Sequence, residues 1–151
     1  MGWAAGPREI IDAIKRLMSH ETTNPVSFVQ AGALAAYSDP QAPQAVESMR
    51  KQFEKRCGRM TERLNAIDGV KCVRPTGAFY CFPDVSSHYG RSIGGVEVTD
   101  SAGFAQAALA KARVALVPGA PFGDDRYVRL SFATSMEQID KGLDRLEQML
   151  S

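Results

Sequence analysis

The sequence predicts an α/β chain of the two-layer α+β kind, with helices packed on a small mixed or antiparallel sheet. Long segments at both ends repeat apolar residues every three or four positions, as one buried face of a helix requires. Shorter segments alternate apolar with polar residues, as half-buried strands do. The order of elements, three helices, a hairpin, a helix, two strands and a helix, is met by helices covering one face of a sheet.

Met1-Gly2-Trp3-Ala4-Ala5-Gly6-Pro7 reads as a short extended piece, with Pro7 in the first turn of a helix that runs to about Ser19. That helix carries Ile10, Ile14 and Leu17 on one face. Pro25 excludes helical geometry from Asn24 and ends the pattern. A second helix over Ser27 to Tyr37 is rich in Ala and Gly, and its small side chains predict close packing on several sides. The longest helix, Ala42 to Ala66, sets Val46, Met49, Phe53, Cys57, Met60, Leu64 and the following Ile67 in one apolar stripe.

Val70 to Arg74 and Ala78 to Phe82 are expected to form a hairpin through Pro75-Thr76-Gly77. Val85 to Val98 holds no sustained period and reads as a surface loop, either loose or a lid. Thr99 or Asp100 caps a helix over Ser101 to Ala112, and a strand follows over Val114 to Val117. The segment YVRLSFA alternates, with Val128, Leu130 and Phe132 on one face and Tyr127, Arg129 and Ser131 on the other. The last helix has two possible capping boxes, Thr134 with Glu137 and Ser135 with Gln138, and buries Ile139, Leu143, Leu146 and Leu150.

With 151 residues, 44% hydrophobic and 23% charged, the chain is expected to build one main core. Its 18 basic and 17 acidic residues leave no overall field to recruit nucleic acid or an anionic membrane. No apolar run is long enough to span a bilayer, and the start lacks a basic segment followed by an apolar one. Cys57, Cys72 and Cys81 match neither a zinc site nor a redox pair, so packed free thiols in a cytoplasmic setting are expected. The basic residues of the long helix, among them Arg59 and Arg63, read as a solvated face, with a nucleic-acid surface as the competing reading.

Most chemical constellations are absent. His20 and His88 belong to no metal-spaced pair, and there is no phosphate-cradling glycine loop or serine elbow. Asp124 and Asp125 read as turn residues. Arg129 is open to two readings: a polar residue on the solvent face of its strand, or an anion holder at the edge of a cleft. A guanidinium can grip a carboxylate with two parallel hydrogen bonds, and Pro118-Gly119 and Phe122-Gly123 would shape a wall close to that anion.

VPGAPFG followed by YVRLSFATS resembles the C-terminal signature of the class I and II pyridoxal-phosphate aminotransferases, the fold-type I family of aspartate aminotransferase. GWAAGP, TTNPVSFVQAGALAAY and PTGAFYCFPDV resemble successive family segments in the same order, so the likeness covers essentially the whole chain.

It implies that residues 1–37 are the tail end of the large cofactor domain and its linking helix, and that 38–151 are the small domain that closes on substrate. It further implies that Arg129 binds the substrate α-carboxylate, that Phe79 and Phe122 line the pocket wall, and that Thr22 to Asn24 lie near a homodimer interface.

The implied reaction carries an amino group from an amino acid, aspartate-like here, to a 2-oxo acid, with pyridoxal 5'-phosphate as cofactor. In the family a lysine bonded to that cofactor precedes the glycine matching Gly2, in an SxSK-like context. None of Lys15, Lys51, Lys55, Lys71, Lys111 or Lys141 stands in that context, so no catalytic or cofactor-binding residue is expected among these 151, and the chain alone is expected to be inactive. A carboxylate-binding or interaction domain without catalysis is the competing reading.

Overall fold

The computed structural model describes residues 1–151, which divide into two compact units, Met1–Ser48 and Met49–Ser151. The first unit contains α1 (Arg8–Glu21) and α2 (Ser27–Ser38) and the start of α3 (Ala42–Ala66). Residues 1–7 adopt no regular structure, and Pro7, expected in the first turn of the helix, instead directly precedes α1 as its N-cap residue.

The apolar faces of this unit are not buried. Ile10, Ile14, Leu17 and Met18 of α1 are exposed, as are Phe28, Leu34 and Tyr37 of α2, so the expectation that α2 packs on several sides is corrected. The α3 stripe is likewise shorter than expected. Val46 is 59% and Met49 55% exposed, whereas Cys57, Met60 and Leu64 are buried. From Phe53 onward the stripe contributes to the core: Phe53 packs against it, and Cys57, Met60 and Leu64 enter it.

The second unit holds a single hydrophobic core. Its three-stranded antiparallel sheet has the order β1 (Tyr80–Cys81), β5 (Val128–Ser131), β4 (Val117–Pro118). Cys81 pairs with Leu130, and both point inward with Val128 and Phe132 toward α3 and α5 (Met136–Leu150). Ile139, Leu143 and Leu146 of α5 complete that layer at helical spacing. The architecture is therefore the expected one of helices on a small antiparallel sheet.

Four local expectations change. The strand over Val70 to Arg74 does not form beyond a single bridge of Lys71 with Asp84. Asn65 explains why: its side-chain amide donates to Cys72 O at 2.9 Å and accepts from Cys72 N at 2.8 Å, taking both backbone groups a ladder would need. Val85 to Val98 is not a loose loop or a lid. After a 3₁₀ turn at Ser86–His88 it folds as the hairpin β2 (Arg91–Ile93) and β3 (Val96–Val98). Ile93 faces Val96 across Gly94 and Gly95, with φ of 60° and 85°, the left-handed pair that a tight two-residue hairpin turn requires.

The helix after Asp100 changes character within its length. Asp100 caps α4 (Ser101–Ala107) by accepting from Gly103 N at 2.7 Å, and a π-helical turn continues over Ala108–Ala112. The wider turn carries helical backbone as far as Arg113, where φ of 56° ends it. The expected strand over Val114 to Val117 is displaced accordingly, to Val117–Pro118.

At the other end, Ser135 rather than Thr134 caps α5, accepting from Gln138 N at 3.2 Å. Pro118 lies in β4 at the edge of the sheet. Val128, its pairing partner, donates its N–H to Pro83 O on the opposite side, at 3.1 Å.

The charged face of α3 is engaged by α5. Arg63 donates to Asp144 at 2.6 Å and to Glu147 at 3.2 Å, and Arg59 donates to Asp140 at 2.7 Å. The hydrogen bond that Arg63 donates to Asp144 is the main cause that raises the Arg63 pKa. On the same helix Arg50 pairs with Glu54 at 3.1 Å, the spacing expected of a solvated helical face.

Candidate functional site

The antiparallel register decides which residues share the outer face of the sheet. Tyr80 lies opposite Ser131, and Arg129 opposite Val117. Since neighbours on a strand alternate in direction, Tyr80, Arg129, Ser131 and Val117 turn away from the core that Cys81, Val128 and Leu130 enter. A polar face was expected there, yet it is largely aromatic. Phe82 stacks on Tyr127 with centroids 4.9 Å apart and meets the Phe122 ring edge-on at 6.2 Å.

Arg129 stands among these rings. Its guanidinium carbon lies over the Tyr80 ring and over the Phe122 ring, 4.4 Å from each centroid. It is half-buried, and no side-chain or backbone acceptor of the chain takes a hydrogen bond from it. A guanidinium offers five N–H donors in one plane. Here the aromatic contacts hold the group while those donors remain available to an anion arriving from outside the sheet.

Local backbone geometry puts Phe122 in reach. A β-carbon at Gly119 would fall 2.2 Å from Tyr127 O and 2.4 Å from Asp124 O, so only glycine lets the chain pass this close to the turn before β5. The 3₁₀ turn Ala120–Phe122 follows, and Gly123 closes it at φ 94°. The turn is fixed from below by Ser101, whose hydroxyl accepts from Ala120 N at 3.4 Å. Asp124 accepts three hydrogen bonds from Arg126, two from the guanidinium at 2.6 and 3.0 Å and one from the backbone N–H at 3.0 Å, which pull its carboxyl down to about 2. Asp125 accepts from Ser101, so both acids have structural partners, as turn residues should.

Of the three residues singled out in the sequence, the structure brings Phe122 directly to Arg129. Phe79 is 40% exposed and reaches the group only through Tyr80, whose ring centroid lies 4.4 Å from its own. Its other ring neighbour is Phe53 of α3, at 6.4 Å. Tyr80 itself escaped the sequence reading, as did Phe82 and Tyr127. The available signal was the run of aromatic residues at positions that alternation assigns to the outer face.

The three cysteines are free and buried, as expected. Cys72 and Cys81 interact, which depresses the Cys72 pKa and raises that of Cys81. No group of His, Cys, Asp and Glu is arranged to hold a metal, and no helix is long and apolar enough to cross a membrane.

The chain thus presents a small antiparallel sheet backed by helices, with an arginine and aromatic rings on its open face. The chain belongs to the class I and II aminotransferases, whose family model matches residues 1–146. It is 43% identical to an aspartate aminotransferase of Geobacillus stearothermophilus over 150 residues, which cover 99% of this chain and 37% of that protein. The crystal structure of the aspartate aminotransferase from Rhizobium meliloti superimposes with a TM-score of 0.89 at 34% identity, over 97% of this chain and 36% of that one. A Thermus thermophilus aspartate aminotransferase solved with maleate gives a TM-score of 0.83 at 37% identity, again over 97% and 36%. The chain thus corresponds to the C-terminal portion of its relatives and spans little more than a third of their length.

The family uses pyridoxal phosphate, and the residues present do not by themselves fit that group. A lysine that bonds to the cofactor works from a desolvated position. Lys15, Lys51, Lys55, Lys71, Lys111 and Lys141 are all exposed.

Proposed function

We propose that this chain is the substrate-closing part of an aminotransferase that transfers an amino group from an aspartate-like amino acid to a 2-oxo acid, and that Arg129 binds the substrate α-carboxylate. In this reading residues 1–37 are the end of the cofactor domain and its linking helix, and residues 38–151 are the small domain. Phe79 and Phe122 form the adjoining pocket wall. The observation that carries the reading is a half-buried guanidinium, held by aromatic rings, whose donors no group of the chain accepts.

Pyridoxal phosphate supplies the electron sink when the remainder of the enzyme holds it. The work of these residues is binding and orientation. A carboxylate paired with the Arg129 edge is fixed in position and in rotation, which sets the direction of the substrate's reacting carbon. The rings around the guanidinium exclude water from one side of that pair and so strengthen it. The exposed apolar residues of α1 and α2 fit an element that the cofactor domain covers. The three unpaired buried thiols fit a cytoplasmic enzyme, and the family resemblance supports a homodimer.

Replacing Arg129 by alanine in the full-length enzyme is expected to cost about 2 to 5 kcal/mol in kcat/KM, the range for truncating one partner of a desolvated charge pair. An unchanged kcat/KM for amino acids refutes the assignment. The 151-residue chain is expected to be inactive alone and to take up no stoichiometric label when mixed with pyridoxal phosphate and reduced with borohydride. A single labelled lysine accompanied by transaminase activity overturns that part of the reading.

A further inference from the structure

Arg129 combines two properties that oppose each other. It is half-buried, which costs a charged group hydration, and it makes no ion pair or hydrogen bond within the chain to offset that loss. An unsupported arginine side chain has several rotatable bonds and would swing into water. The remaining support visible around it is aromatic: the Tyr80 and Phe122 rings, each with its centroid 4.4 Å from the guanidinium carbon. The negative face of an aromatic ring attracts the cation without occupying a hydrogen-bond acceptor's place.

The two rings arrive from different parts of the fold. Tyr80 belongs to β1 and is set by its register with Ser131. Phe122 ends the 3₁₀ turn that Gly119 and Gly123 make possible, and is itself 49% exposed. Tyr80 is buttressed by Phe79 at 4.4 Å, and Phe122 by Phe82 at 6.2 Å.

We propose that Tyr80 and Phe122 are positioning residues that brace the Arg129 guanidinium from two sides and present its N–H edge to an incoming carboxylate. This rests on the carboxylate-binding role of Arg129 proposed above and assigns a cause to its readiness. The ordering of the side chain is completed on folding, so the ligand does not have to supply it. It also gives Phe122 a task other than touching substrate, and gives Tyr80, which sequence reading passed over, an equal share. Lysine cannot use the brace in the same way, because a compact ammonium has no planar edge to orient.

The test follows the Arg129 Nε–H resonance of the 151-residue chain by NMR while succinate is added as a carboxylate probe. In the unsubstituted chain the proton is expected upfield of the other arginines, shifted by the two rings, and to move with succinate. Tyr80→Leu and Phe122→Leu are each expected to return it toward the ordinary position and to weaken succinate binding on the order of 3- to 30-fold. Tyr80→Phe, which keeps the ring, is expected to behave as the parent. Because Phe122 is exposed, its variant tests the idea even if Tyr80→Leu disturbs folding.

An ordinary Nε–H position in the unsubstituted chain, or unchanged succinate affinity in Phe122→Leu, overturns the brace and leaves the role of Arg129 standing. If succinate leaves the Arg129 resonance of the unsubstituted chain unmoved while the variants still shift it, the carboxylate role itself falls, and with it the purpose assigned to the brace.

Discussion

The Ser101 hydroxyl donates to the Asp125 carboxylate at 2.5 Å and so joins the start of α4 to the turn that precedes β5. The same Asp125 oxygen accepts from Ser101 N at 3.2 Å, and the hydroxyl oxygen accepts from Ala120 N at 3.4 Å. Ser101 is fully buried. One hydroxyl therefore ties the start of α4 to both Ala120 and Asp125, at the two ends of the stretch that carries Phe122. Ser101→Ala leaves a carboxylate oxygen and an amide short of partners, and is expected to destabilise the chain by about 1 to 3 kcal/mol in urea unfolding. Ser101→Thr, which keeps the hydroxyl, should recover part of that loss.

Arg63 ties α3 to α5 through Asp144 and Glu147, and its side chain is only 18% exposed. Its partners are half-exposed, so solvent screens much of the attraction. Arg63→Met keeps the aliphatic stem and removes the charge. It is expected to cost about 1 kcal/mol at low salt, and the difference between variant and parent should shrink in 1 M salt.

His88 makes stability depend on pH. It is 3% exposed, with Nε2 3.1 Å from Asp68 O and Nδ1 buried without a partner. Burial is the main cause that lowers its pKa, with the charge of Arg91 adding to it and Asp68 opposing. On acidification the unfolded chain takes up the proton first, near the ordinary histidine value of about 6.5. The contribution is therefore fully present above that pH and is lost as pH falls through it toward the lower folded value. His88→Phe should flatten the slope between pH 6.5 and pH 5 in thermal melts. Asp124, held at about 2 by Arg126, acts in a lower window, losing its contribution as pH falls from its ordinary value of 3.8 through 2.

Arg113 ends the π-helical turn in the left-handed region, at φ 56° and ψ 36°. A side chain in that region is strained, and glycine is the residue that helix ends favour there. Arg113→Gly is expected to stabilise the chain by about 0.5 to 1 kcal/mol, read as a raised urea midpoint at unchanged m-value.

Helical periodicity and capping chemistry were legible because both are local: α3 spans Ala42–Ala66 as its apolar periodicity suggests, and Asp100 and Ser135 are two of the expected caps. The failures came from competition that a linear pattern does not contain. Cys72 carries strand-like neighbours, but an asparagine side chain on α3 takes its backbone bonds. The β2–β3 hairpin was announced by Gly94-Gly95 between short alternating runs, a signal masked by the surrounding glycines and serines.

At the candidate site, Arg129 could be singled out from its odd place in a strand, whereas Tyr80 could not. Only the pairing of Tyr80 with Ser131 places that ring on the face of Arg129, and register is a property of two segments together.

Pro118 has a consequence for how the molecule behaves in a crowd. Val128 sends its N–H to Pro83, so its pairing with Pro118 is the wide kind, in which the Pro118 nitrogen faces the outer border of the sheet. That nitrogen has no hydrogen to give. A foreign extended segment approaching β4 would meet no donor there and a strand only two residues long, too little to template further strands. The border of the sheet next to Arg129 is thereby a poor foothold for other extended chains.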